Sequence, residues 1–228
     1  MKSKKSETAK RLEKGYYKKY QVDIDSGELS ISLLQKLIAG FENSMKRFPN
    51  CYVFRIKLRV PKTYNQDTNK LLNKWFYSLA NQLPINGNRN AGNSNQHGTS
   101  TEAINMIWAK DMSDDGSVFY RIALFFRAPK NANEQLSIKA KAFFKRKIVK
   151  TWAYVLRLNE EHIHTLYLVQ PATITPLILG NRTHNEHLRH CVFILSALAR
   201  KSRYPTENLE DVFGVKYSRN PNKRQDKR

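Results

Sequence analysis

The ten residues from Ser117 to Phe126 constrain the fold more than any other stretch. They are mostly aromatic or branched, with no Gly or Pro among them, and in a strand successive side chains point to opposite faces. Val118, Tyr120, Ile122, Leu124 and Phe126 then make a core face, while Phe119, Arg121, Ala123 and Phe125 make the other. An earlier stretch repeats the pattern: Tyr52, Phe54, Ile56, Leu58 and Val60 share one face and Val53, Arg55, Lys57 and Arg59 the other, and Pro61 closes the strand. If the two strands share a sheet, one face is oily and takes helices. The opposite face is expected to be helix-free and to present Arg55, Lys57, Arg59 and Arg121 with Phe119 and Phe125. Rings that stack bases and cations that meet phosphates suit single-stranded nucleic acid. An arginine in so apolar a strand is either on a solvated sheet face or holds a phosphate.

The rest of the chain reads as an α+β order with a mainly antiparallel sheet and helices on one face. A helix is predicted from Ser30 or Ser32 to Arg47, with Leu33, Leu34, Leu37, Ile38 and Phe41 as its apolar stripe. A second helix fits 66–83, followed by a Gly/Asn/Ser-rich flexible loop over 84–100, a candidate mobile contact element. A strand over 103–110 leads through Asp114-Asp115-Gly116 into the 117–126 strand as a hairpin. A long helix is predicted over 132–158, and its Lys141, Lys145 and Arg146 add a cationic surface that is either solvated or meets nucleic acid. Two strands, 162–169 and 173–179, and a helix from Thr183 to Ser202 with a Thr183/Glu186 capping box complete the reading. One domain is expected over 30–202, between a basic arm (1–29), whose Tyr16, Tyr17 and Tyr20 are candidates for stacking on bases, and a basic tail (203–228).

Charge decides the class of partner. Forty Lys and Arg against 19 Asp and Glu give +21, which argues for a polyanion, most simply nucleic acid, rather than a membrane. Besides the sheet residues, Lys110, Arg200, Lys201 and Arg219 are candidate contacts. Cys51 and Cys191 are too few for a disulfide framework and lack zinc spacing, which fits a reduced, cytoplasmic compartment. No apolar stretch follows the N-terminal lysines, so no signal peptide is expected, and no run approaches the ~20 apolar residues of a membrane span.

Five segments in order also carry a resemblance. Tyr52 to Pro61, Met106 to Lys110, Phe119 to Leu124, Ser196 to Arg200, and Phe213-Gly214 with Ser218-Arg219 resemble successive motifs of the YagK/YfjJ C-terminal-domain family, also called the inovirus-type replication protein family. The resemblance covers 34–219 and implies a replication-initiator fold of the His-hydrophobe-His endonuclease type, in a protein of a mobile element. It also implies a strand-borne histidine pair holding a divalent metal, Mg²⁺ or Mn²⁺, and a tyrosine nucleophile. Here Phe119 and Arg121 stand at the histidine positions and Ala197 at the tyrosine position.

Three readings follow from these replacements. The first is a nucleic-acid-binding protein with an inactivated nicking site, no catalytic residues and no cofactor, meeting DNA rather than RNA, with room for a protein partner. The second is a nicking enzyme with relocated residues. Its metal pair would be His162 and His164 on a strand, with His184, His187 and His190 nearby and Tyr204 or Tyr217 as nucleophile. The third is an RNA- or protein-binding subunit of a ribonucleoprotein or defence complex.

Overall fold

Hairpin chemistry builds the centre of the fold. In a computed structural model that describes residues 12–83, 104–128, 138–165, 168–180, 182–206 and 208–218, β4 (Ile104–Met112) and β5 (Val118–Arg127) pair antiparallel about a tight turn. Asp115 accepts hydrogen bonds from the Ser113 hydroxyl and from the Ser117 amide and hydroxyl there. β3 (Cys51–Arg59) joins the other side of β5. β6 (Val169–Leu177) and β7 (Phe213–Tyr217) close the edges, giving an antiparallel order β6-β3-β5-β4-β7. A separate two-residue hairpin, β1 (Tyr16–Tyr17) with β2 (Tyr20–Gln21), precedes the sheet. The α+β class and the antiparallel sheet therefore stand.

Helices cover the sheet on both sides. α1 (Ile31–Arg47) starts where Ser30 caps the Leu33 amide, and α2 (Thr68–Gln82) where Asp67 caps Asn69 and Lys70. α2 and α3 (Ile138–Leu156) pack on the face carrying Phe54, Leu58, Ile122, Leu124 and Phe126, with Trp75 and Trp152 edge to face at 6.0 Å. α1 and α5 (His184–Leu195) pack on the other face against Val53, Ile107, Ala123 and Phe125. Each fully buried aliphatic or aromatic side chain contributes about 1.5–3 kcal/mol, so this second core is no minor patch. The expectation of a helix-free face is overturned for half its length. The register explains why: Val53 faces Phe125, while Lys57 faces Arg121 and Arg59 faces Phe119. The face is divided along its strands, apolar at one end and cationic at the other.

Three further expectations change. The stretch predicted as a strand over 162–169 begins as the short helix α4 (Glu160–Thr165). Asn159 accepts the His162 amide at 2.8 Å, and Glu160 and Glu161 suit the positive end of a helix, which outweighs the alternation of His162-Ile163-His164. The two predicted strands reduce to β6, an edge strand that tolerates Pro171 and Pro176 within it. The last helix ends at Leu195 and passes into a 3-10 turn, Ser196–Ala199, and at its start the Thr183 carbonyl accepts the His187 amide at 2.9 Å while its side chain accepts no capping hydrogen bond.

The supposed tails also belong to the domain. Residues 203–218, expected to be irregular, carry α6 (Leu209–Val212) and β7. Gly214 lies under the Trp108 indole, where any Cβ would come within 2.6 Å of Nε1, and Gly40 lets α1 approach Val215, whose Cγ2 would lie 2.8 Å from a Cβ there. In the basic arm, Tyr17 and Tyr20 are buried in the second core rather than free to stack, and Leu29 bridges Arg200. The loop 84–100, Arg219 and the start of the predicted 132–158 helix lie outside the described residues. Among the described residues no helix is long and apolar enough to cross a membrane.

Candidate nucleic-acid interface

The cationic end of the second face is built on β3 and β5 and fenced by residues 197–203. Arg121 projects from mid-β5, half-buried. Its Nη1 donates to the Ala197 carbonyl at 2.6 Å and its Nη2 to Asp111 Oδ2 at 3.1 Å. Asp111 is diagonal to Arg121 across the β4–β5 pair and also accepts the Arg203 and Met112 amides at 2.8 and 2.9 Å. Arg203 pairs through its guanidinium with Asp114, and the Ser202 hydroxyl donates to the Lys110 carbonyl. Residues 202–203 are thus laced to the end of β4.

Around this lock the charge is unbalanced. Arg59, Arg121 and Arg203 all act electrostatically on Lys57, opposed by Asp111, and Arg203 acts on Arg121 as well. Lys57 places its ammonium 3.8 Å from the Phe119 ring centroid. Burial first, then Arg59 and Arg121, push the Lys57 ammonium below its ordinary range. Burial lowers Arg121 as well, offset in part by Asp111. The Nε groups of Arg59 and Arg121 are buried with no hydrogen-bond partner. Unpartnered donors beside mutually repelling cations are costly unless an anion completes them.

The structure sorts the sequence candidates into groups. Arg55, Lys57, Arg59 and Arg121 do gather on one sheet face, all half-buried. Phe119 and Phe125, expected as stacking rings, are 6% and 0% exposed; Lys57 caps the first and α1 the second. Lys110 faces the other way, buried, with its ammonium 3.6 Å from the Tyr204 ring centroid, because alternation along β4 sends it opposite Asp111. Arg200 and Lys201 flank the cationic end but are engaged with Asp23 and Glu28. Lys141, Lys145 and Arg146 are exposed on α3, across the sheet from this cluster. Sequence reasoning missed Arg203 and Asp111. The hairpin turn was a usable signal for Asp111, since it sets the register that makes Asp111 and Arg121 diagonal neighbours.

A metal does not fit here. Phe119 has no ligand atom, and at the other position that the resemblance assigns to a metal ligand stands the Arg121 cation, hydrogen-bonded to the Ala197 backbone. His162 and His164 cannot form the relocated pair as expected, because residues two apart on a helix diverge by about 200°. Among the described residues no group of three or more His, Cys, Asp or Glu side chains is placed to hold a metal ion. Cys51 and Cys191 are free, buried thiols of the second core.

No curated protein and no solved structure matches the chain. The family model of the YagK/YfjJ C-terminal domain matches residues 12–215, through nearly every element described above, and the chain belongs to that family.

Proposed function

We propose that this protein binds single-stranded or hairpin DNA at the cationic end of its sheet and does not cut it. The observation that carries the reading is the cluster of Lys57, Arg59, Arg121 and Arg203 about the Asp111 carboxylate, with buried guanidinium donors still unpartnered. A phosphodiester supplies what the cluster lacks: negative charge and several acceptor oxygens, met by planar guanidinium groups. The chain's net charge of +21 would draw such a polyanion in at long range. The replication-initiator resemblance fits a role at an origin or in a regulatory complex of a mobile element. The arginine, phenylalanine and alanine at the three catalytic positions favour binding over nicking.

The experiment has two arms. Affinity for a labelled 20-nucleotide strand is measured against salt; with four cations engaged and about 0.7 counterions released per phosphate contact, the log–log slope should be about −3. A flat response removes nucleic acid as the partner, and a clear preference for RNA moves the protein to the ribonucleoprotein reading. Incubation with supercoiled DNA and Mg²⁺ or Mn²⁺ should leave no tyrosine-linked product. A covalent adduct lost on Tyr204→Phe or Tyr217→Phe would overturn the non-nicking part alone.

A further inference from the structure

We propose that the outward stripe of α3 is a second nucleic-acid contact, so that one chain holds two strand segments, one on each side of its sheet; this rests on the nucleic-acid reading above. At 100° per residue, Phe143, Arg146, Lys147, Lys150 and Tyr154 fall within an arc of about 100°. Ile148 and Trp152, which pack into the first core, lie on the opposite side of the helix. The stripe therefore points away from the sheet. Its rings are unusually open for a folded surface: Phe143 is 37% exposed and Tyr154 73%. Lys147 lies 5.8 Å from the Phe143 ring centroid, which joins charge to ring. Among the described residues the only carboxylate paired with the stripe is Glu160, 3.3 Å from Lys150. Phe143 rests edge to face on Phe144 at 5.6 Å and still keeps part of its ring open, Tyr154 is open over most of its surface, and the excess of cations argues for a polyanion with π-faces over an apolar protein surface.

Position makes this a separate site. α3 packs on the face of Phe54 and Leu124, whereas the Lys57–Arg121 cluster opens on the opposite face. A helix layer stacked on a sheet adds roughly 10 Å, so the two surfaces lie on opposite sides of the layered fold. The two surfaces differ in kind as well. The sheet site offers recessed guanidinium groups and no open ring, whereas α3 offers open rings beside surface cations. Phosphate recognition would dominate at the first and base stacking at the second.

Stoichiometry tests the proposal. Sedimentation velocity of the full chain with a labelled 10-nucleotide strand should show two strands per chain at saturation. A stripe variant, Phe143→Ser with Lys150→Ala and Tyr154→Ser, should bind one, and so should the sheet variant Lys57→Met with Arg59→Met. Tyr154→Ser alone should weaken the second binding step severalfold while leaving the melting temperature in place, which guards against a folding artefact in the triple change. One strand per wild-type chain, or two on the stripe variant, overturns the proposal. A sheet variant that still takes two strands, beside a stripe variant that takes one, sinks the sheet reading and sustains the stripe. If phosphatidylserine vesicles retain the wild type and release the stripe variant while strand stoichiometry is equal for both, the stripe is a lipid surface and the proposal fails.

Discussion

The two ends of one sheet face obey the same alternation and meet opposite fates. Where β3 begins and β5 ends, Val53, Ala123 and Phe125 are sealed under α1 and α5. Where β3 ends and β5 begins, Arg59 and Arg121 crowd Lys57 with Asp111 as the opposing charge, and two guanidinium nitrogens lack partners. The apolar end contributes stability on folding. The cationic end costs some of it, because burial and repulsion disfavour the charged Lys57. A folded chain that keeps such a cost has a use for it when a ligand removes it on binding, and this difference underlies the functional reading.

The comparison can be broken at either end. The largest effect is expected at the sealed end: Phe125→Ala should cost about 3–5 kcal/mol, as truncation of a fully buried aromatic does, measured by urea denaturation. Arg121→Ala comes next. Removing one partner of a buried pair costs about 3–5 kcal/mol, and partial exposure here brings the expectation to about 2–4 kcal/mol. Arg121→Lys should recover part of the loss, since an ammonium cannot hold Asp111 and the Ala197 carbonyl in one plane. A fully stable Arg121→Ala protein would show that the lock is not structural. This revises the simpler expectation that Arg121 is a free phosphate clamp.

Much of this contrast was legible in the chain. Period-2 alternation marked β3 and β5, helical stripes marked α1 and α2, and Asp114-Asp115-Gly116 marked the hairpin. The division of the second face was not legible, because it depends on which end of β3 meets which end of β5, a long-range register that no local pattern encodes. β7 was missed because a five-residue strand containing Gly reads as loop until Trp108 is seen lying over Gly214. α4 was misread because only Ile163 of its central triplet is buried, and alternation around one apolar residue says nothing about period. At the site, the cationic side chains of β3 and β5 were found by alternation. Arg203 was not, since it comes from a segment taken for a tail.

A smaller effect follows from the titration of Lys57. Its folded-state value lies below the ordinary 10.5, so the unfolded chain holds that proton more tightly. Stability therefore gains from Lys57 as pH rises through the window below 10.5, while binding, which needs the cation, weakens across the same window. The affinity gap between wild type and Lys57→Met should accordingly narrow from neutral pH toward that value. A gap that stays constant would mean that Lys57 does not meet the ligand.

The most direct test replaces two cations and reads two properties at once. Lys57→Met with Arg59→Met keeps side-chain bulk over Phe119 and removes charge that folding does not need. The affinity for a 20-nucleotide strand, measured by fluorescence anisotropy at fixed salt, should fall by about 1.5–3 kcal/mol, the range for a hydrogen bond to a charged group. The melting temperature should hold or rise. Unchanged affinity in a protein of unchanged stability would contradict the account, because the cationic end of the sheet would then be neither a binding site nor a cost.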